Sequence, residues 1–433
     1  MIEKIQPFID HFRNLRGSKL FKVFFWDVLS KGSDFLLLPV YLKIFSQAEY
    51  GFYTYALYII VTASGIIKLG FDTAVSKMYF ETNIYDRGRM LFSINSIWVV
   101  FFMLLFLTGM FTDIDTGIMT KVMGIPEADY HSIKLFLYLF ILFNLVQTTL
   151  NVFFVIDDNA ITYQKSNLIR IICGHLVVIL LLIFVAKGDK AYFRLYIEPV
   201  LFLVSFIPLS IIFIKRMTFK FDWAAAKHGF AVGMPMVGTL IVAVIYNVSD
   251  KYFLQKTNGY NTLAVYNLAI FLTLPISLIF MSFNTVWLPQ FFKEPSSAVN
   301  LKKSNRYVLY LSGVYVSLMV VLELCLFVAL KLKLLSADYA IVLSFFPFIF
   351  IAKIAENLCQ LYINFIVKWG RTMFNLITTV VFSAITLLLN FKIIPIYGLS
   401  GAVSVLFVVA AARLFVFYFY VKHRTKHVSV TIA

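Results

Sequence analysis

Charge is what this 433-residue chain has least of: Asp, Glu, Lys and Arg make up 14% of it, against 61% hydrophobic residues. A soluble domain carries roughly 25% charged and 45–50% apolar residues, so water is not the solvent for most of this surface. Cysteine is nearly absent. Cys173, Cys325 and Cys359 are odd in number, lie in apolar runs and show no metal-ligand spacing, which excludes a disulfide framework and a zinc site and reads them as core packing residues. P-loop, HExxH and Gly-rich dinucleotide motifs are missing. No stretch between apolar runs exceeds about 20 residues, too little for an outer catalytic domain. Asp113 and Asp115 are the nearest thing to paired carboxylates outside the apolar runs, and no base stands beside them at a suggestive spacing. The chain therefore reads as a non-enzyme with no cofactor and no metal. Energy for any transport must come from an ion gradient, the membrane potential or the substrate's own gradient.

What the chain does have is long apolar runs, following one another from Phe21 to Val421. A helix needs about 20 mainly apolar residues to cross a bilayer, and these runs are continuous rather than alternating, which excludes a β-barrel. The expected spans are 22–43, 51–71, 89–111, 133–156, 164–186, 194–214, 229–249, 263–284, 306–330, 338–367, 372–391 and 398–421. The fold class is thus an all-α integral membrane protein of about 12 transmembrane helices.

The first 20 residues carry Lys4, Arg13, Arg16 and Lys19 and lack a short apolar core with a cleavage site, so they read as a retained cytoplasmic segment. With both termini inside, Lys and Arg divide about 22 inside to about 11 outside, as the positive-inside rule expects. The net charge of +16 then reflects topology and affinity for the lipid bilayer's anionic headgroups, and no nucleic-acid partner is implied. The expected organisation is a cytoplasmic segment (1–21), a six-helix lobe (22–214), a cytoplasmic linker (215–228), a second six-helix lobe (229–421) and a basic tail (422–433).

A weak internal repeat supports two lobes. At an offset of 213, YGFYTYALYI (50–59) lies against TLAVYNLAIF (262–271), and AVSKMYFE (74–81) against WLPQFFKE (287–294). Halves with an even number of spans would be parallel, related by a pseudo-twofold along the membrane normal, around a central cleft. Chance similarity between apolar segments is the alternative.

Charges inside the spans are the main chemical clue, since one at a helix centre costs ~2.5–3.5 kcal/mol on insertion scales. Asp27, Lys31 and Asp34 fall at i, i+4 and i+7 on one face of span one, and Lys353 and Glu356 at i, i+3 in span ten. Lys68, Arg170 and Arg413 lie nearer the cytoplasmic ends, Glu198, Glu323 and Asp250 nearer the outer side. Lys68 and Arg170 could snorkel to the headgroups. Lys31, Asp34, Lys353 and Glu356 lie about 14 Å or more from either end of their spans and either line a watery cavity or pair within a lobe. Pro39, Pro235, Pro275 and Pro347 sit inside apolar runs where each removes a backbone hydrogen bond and favours a kink. His175 is the lone histidine within a span, more in keeping with packing or pore lining than with ligation.

Four segments carry a family likeness: LLLPVYLKIFSQAEYGFYTYAL (36–57), LGFDTAVSKMYFE (69–81), NVSDKYFLQKTNGYNTLAVYNLA (247–269) and LLLNFKIIPIYGLSGAVSV (387–405). Pro39, Glu49, Tyr50 and Gly51 mark the first, Asp250 and Tyr266 the third, and Asn390, Pro395, Tyr397, Gly398, Gly401 and Ala402 the fourth. With these the chain resembles the polysaccharide-precursor flippases, translocases of O-antigen and capsule repeat units within the superfamily that also holds multidrug exporters. The resemblance implies a polyprenyl-diphosphate-linked oligosaccharide moved from the inner to the outer leaflet of a bacterial cytoplasmic membrane by alternating access. It also implies a glycan polymerase or other assembly proteins as pathway partners.

On that resemblance Lys31, Lys353 and Arg413, with Arg170 and Lys68, would form a cationic cleft for the diphosphate. Asp34, Asp250, Glu356 and Asp27 would couple a proton (H+) or sodium ion (Na+). Many relatives have arginines where spans one and ten here carry lysines, a point charge in place of a bidentate grip. A multidrug or small-cation exporter, a membrane glycan polymerase or ligase, and a scaffold are the other readings. A drug exporter's cavity should be acidic and aromatic, a polymerase needs a sizeable outer loop, and a scaffold would tolerate loss of every intramembrane charge.

Overall fold

The computed structural model describes residues 19–430, with side chains described from Phe25 to Thr425 except at Asp27, Val28, Lys31, Asp34, Pro235, Met236, Thr285, Val286, Pro289 and Thr372. Its elements are helical throughout: α1 Lys19–Ile44, α2 Gln47–Ile67, α3 Phe71–Glu81, α4 Arg87–Thr112, α5 Thr116–Met123, α6 Glu127–Ile156, α7 Ala160–Phe184, α8 Lys190–Lys215, α9 Trp223–Phe271, α10 Leu274–Lys293, α11 Ser297–Lys331, α12 Val342–Lys368 and α13 Thr372–Val430. Nine helical stretches among the described residues are long and apolar enough to cross a membrane, so the chain is an all-α, multi-pass membrane protein. Two of them, of 62 and 53 residues, exceed twice the ~20 residues of one crossing.

Both overlong stretches are interrupted by a glycine outside helical geometry, Gly259 (φ 75°, ψ −177°) in α9 and Gly398 (φ 57°, ψ −130°) in α13. The polar segment 250–262 was expected as a loop, yet helix continues to Gly259. A helix needs no apolar surroundings to persist, and one residue able to take positive φ suffices for the turn. Ser296 likewise caps α11 by accepting from Val299 N at 3.4 Å, so that helix starts well before its apolar run. Pro275 stands in the first turn of α10, where its missing N–H is harmless, whereas Pro39 and Pro347 are inside α1 and α12. Of the three cysteines only Cys359 is buried; Cys173 and Cys325 are exposed, which corrects their reading as core residues. On apolar helices a small sulfhydryl is as compatible with lipid as with packing.

The chain forms two compact units, one of residues 1–45 and 56–240, the other of 46–55 and 241–433. In the first unit aromatic rings fill the space between α6, α7 and α8. Phe206, 1% exposed, stacks at 6.2 Å and 7° on Tyr163 and at 5.8 Å and 24° on Phe143. Because lipid tails are as apolar as these rings, close packing rather than water exclusion holds such helices together. α7 contains a π-turn, Arg170–Gly174, the widening that often marks functional stretches of helix. In the second unit the start of α2 packs on the second half of α9. A Cβ on Gly51 would lie 2.0 Å from the Tyr260 carbonyl oxygen, so only glycine permits this approach.

The connection between α4 and α6 is stapled by charge. Tyr130, Lys134 and Tyr138, spaced four apart on α6, all reach it: Lys134 Nζ lies 2.7 Å from Asp113 Oδ1 and 2.9 Å from Asp115 Oδ1, and both tyrosine hydroxyls donate to Asp115 Oδ2, at 2.9 and 2.8 Å. The Lys134 hydrogen bond holds the Asp113 carboxyl below its ordinary pKa. Burial opposes ionisation of Asp115, and the bonds from Lys134, Tyr138 and Tyr130 outweigh it, so that carboxyl is lowered too. A carboxylate depressed in the folded state contributes stability above its unfolded pKa of about 4 and loses it as pH falls through the folded value. The thermal midpoint is therefore expected to be flat from pH 7 to about 4 and to fall below that, with a shallower acid limb in Lys134→Met. An equally steep acid limb in that variant would place the acid sensitivity elsewhere.

Candidate functional site

α12 and α13 bring three of the expected residues together in the second unit. Lys353 Nζ donates to Glu356 Oε2 at 2.7 Å, across one turn of α12, and the two side chains are 20% and 17% exposed. Tyr246 of α9 donates to the other oxygen, Oε1, at 3.0 Å. The Arg413 guanidinium from α13 lies 5.7 Å from the centroid of the Tyr246 ring and donates to Thr379 Oγ1 at 3.4 Å, while its Nε is buried without an acceptor. The group holds two cations and one carboxylate, net positive. Lys353 is eleven residues from the start of α12, about 16 Å along the helix. A partly exposed cationic group at that depth can receive an anion, because the Lys353–Glu356 contact is reachable and replaceable and Arg413 adds positive charge beside it.

One turn further along α9, Asp250 accepts from Tyr266 Oη and from its own neighbour Lys251, whose Nζ stands 3.3 Å from Oδ1. Asn390 of α13 donates to Ser249 Oγ at 2.9 Å beside it. Asp250 is 7% and Lys251 4% exposed, so this pair is enclosed where Lys353 and Glu356 are reachable.

The first unit has its own charges. Arg170, in the π-turn, is 8% exposed, donates to Asn167 Oδ1 at 2.9 and 3.1 Å, and lies 4.5 Å from the Phe202 ring centroid and 5.3 Å from that of Phe143. Asn167 in turn donates to Ser30 Oγ on α1 at 2.7 Å. This is an enclosed cation–π arrangement rather than a snorkelling one. Lys68 is ion-paired with Asp72 and 4% exposed, again not reaching outward.

A further cluster joins α1, α7 and α8. Arg194 Nε donates to Glu198 Oε2 at 2.7 Å and its guanidinium stacks 3.7 Å from the centroid of Tyr41. The Tyr41 hydroxyl shares a 2.8 Å hydrogen bond with His175 Nδ1, which lies 3.9 Å from Glu198 Oε1. The side chains of Asp27, Lys31 and Asp34 lie outside the described residues, although their backbone belongs to α1.

Sequence reasoning did not select Tyr246, Lys251 or Arg194. The i, i+4 spacing of Tyr246 with Asp250 and of Arg194 with Glu198 was the available signal for two of them. Lys251 looked like a loop cation because the helix was expected to end before it.

The sequence profile of the family described as "Polysaccharide biosynthesis protein" matches residues 20–294. Among curated proteins none matches the chain. Among solved structures, the chain is similar to the lipid II flippase MurJ in an inward closed conformation (TM-score 0.69, 15% identity, covering 91% of this chain and 87% of that one). It is also similar to an inward-facing multidrug resistance MATE family transporter of the MOP superfamily (0.62, 12%, 94% and 96%). A MOP superfamily transporter from Pyrococcus furiosus, described as having a binding pocket of reverse polarity, aligns at 0.58 with 13% identity over 95% and 97%. At these identities the likeness establishes the fold.

Proposed function

The chain belongs to the polysaccharide biosynthesis protein family and has the fold of MOP superfamily transporters, and from that premise we propose that it flips lipid-linked oligosaccharides. The cargo is a polyprenyl diphosphate carrying a glycan repeat unit, moved from the inner to the outer leaflet of a bacterial cytoplasmic membrane, with both termini cytoplasmic.

The observation that carries this reading is the net-positive group of Lys353, Arg413 and Glu356 deep in a polysaccharide-family membrane protein. A diphosphate crossing hydrocarbon needs cations that are partly exposed to water, and these meet that requirement. Lys353 would exchange Glu356 for phosphate oxygen while Arg413 contributes positive charge beside it. Glu356, released from Lys353, then becomes free to take up a proton or sodium ion, which couples cargo to gradient. Asp250 is a second coupling candidate. Arg170 and Lys68 remain candidates for cargo contact in the first unit, and Lys31, Asp27 and Asp34 keep their expected roles.

The proposed architecture is twelve crossings in two pseudo-twofold-related six-helix lobes, 22–214 and 229–421, working by alternating access. Two contacts inside the second unit support the symmetry. A Cβ on Gly51 would lie 3.2 Å from Ala264 N, and Thr54 Oγ1 accepts from Asn267 Nδ2 at 2.8 Å. Both pairs are 213 apart, the offset of the sequence repeat. Positions equivalent under a twofold touch only where they approach its axis.

Purified protein in proteoliposomes, given a labelled polyprenyl-diphosphate oligosaccharide, is expected to move it to the opposite leaflet, faster under an imposed proton or sodium gradient. Folded protein that moves no lipid-linked glycan from the source organism, but does move organic cations, would replace this reading with a drug exporter.

A further inference from the structure

Four separate connections meet at one end of the second unit: the start of α2, the Gly259 break, the turn Ala337–Tyr339 and the Gly398 break. Between them is a solvent-open cleft of about 590 Å³, within the roughly 300–1,000 Å³ of small-molecule sites. Its polar lining is three amides (Gln47, Asn258 and Asn261), the hydroxyls of Thr262 and Ser400, and the Asp338 carboxylate. Among the described residues no Lys or Arg lines it, in a protein whose net charge is +16.

The lining is preset for uncharged hydroxyl-rich ligands. Asn258 Oδ1 accepts from Thr257 at 2.8 Å, leaving its N–H groups for a ligand. Asp338 is oriented by Ser336, which donates to Oδ2 at 2.7 Å, and its other oxygen stays available. The aromatic ring of Tyr397 is 63% exposed at the rim. Gly398 sets the floor: its φ of 57° favours glycine, and a Cβ there would lie 3.0 Å from Asn258 Nδ2. Amide groups offer donors and acceptors together, matching sugar hydroxyls, which are both. An exposed tyrosine face suits the C–H face of a pyranose. A diphosphate, by contrast, would meet a carboxylate and no cation.

We propose that this cleft is a saccharide-binding site, holding the neutral glycan of the cargo at the outer side while the cationic group handles the diphosphate. The proposal rests on the flippase reading for its source of glycan and for placing the cleft outside.

The test uses the full chain in lipid nanodiscs and, as probe, the water-soluble glycans released by mild acid from the source organism's polyprenyl-linked pool. Saturation-transfer NMR is expected to show binding through pyranose ring protons. Asn261→Ala combined with Tyr397→Ala should weaken it at least tenfold with an unchanged thermal midpoint, Lys353→Ala should leave it intact, and inorganic pyrophosphate should not compete. No saturation transfer to any released glycan, binding that the double variant leaves unchanged, or competition by pyrophosphate would each overturn the proposal. The proteoliposome assay separates the two readings. Flipping without glycan binding removes the cleft and keeps the flippase; glycan binding without flipping does the reverse.

Discussion

Glu198→Ala is expected to destabilise the protein by about 3–5 kcal/mol, the usual cost of stripping one partner from a buried ion pair. Glu198 is 3% exposed and Arg194 6%, so water cannot replace the lost carboxylate contact. It would keep its stacking on Tyr41, at 3.7 Å, but a cation–π contact returns only about 2 kcal/mol even when desolvated. His175 would also lose the Glu198 carboxylate, 3.9 Å from its Nδ1. For a compact unit of roughly 200 residues this corresponds to a drop on the order of 10 °C in thermal midpoint, measured in one detergent at fixed pH. The double variant Arg194→Met with Glu198→Met should recover most of the loss, because it removes the buried cation together with the carboxylate it pairs with. A double variant as unstable as the single would show that the cluster supports packing rather than charge balance.

Lys353→Ala has the largest expected effect on transport. A hydrogen bond to a charged group contributes about 1.5–3 kcal/mol, which converts to a roughly 10–150-fold slower flipping rate if the contact is made to the cargo during passage. The thermal midpoint should move by only a few degrees, since both partners of the Lys353–Glu356 pair are partly exposed and Glu356 keeps the Tyr246 hydroxyl. Lys353→Arg should retain much of the rate, and Glu356→Gln should alter gradient dependence more than binding. Flipping that survives Lys353→Ala unchanged in proteoliposomes would remove Lys353 from the phosphate site while leaving the flippase reading to its own assay.

The membrane fold was legible because hydrocarbon leaves few options: a run such as 135–156 can be little else than a spanning helix. Lys353, Glu356 and Arg413 were legible for the same reason, since a charge in an apolar run is conspicuous. Their gathering was not, because Tyr246, which joins Glu356 to the neighbourhood of Arg413, is one of 24 tyrosines, and its spacing to Asp250 points to a carboxylate on its own helix rather than to Glu356. Lys68 and Arg170 looked like snorkelling cations, since depth in the chain says nothing of a nearby Asp72 or of rings from other helices. The breaks at Gly259 and Gly398 fall in or beside the connections expected at 250–262 and 392–397; what the sequence left open is that helix runs up to each glycine. The cleft was invisible in principle, being assembled from four connections far apart in the chain.

The close approach of Gly51 to Tyr260 also constrains how the protein is made. Residues 46–55 leave the ribosome early but pack with 241–433, roughly 200 residues later, a delay of about 10–40 s at 5–20 residues per second. Throughout that interval Tyr53 and Tyr55, almost fully buried in the finished protein, lack the surface that 241–433 will provide, and α2 must be held by lipid or by the insertion machinery. Biogenesis of the second unit thus ends with the capture of a waiting segment, a step that a truncated or stalled chain can never complete.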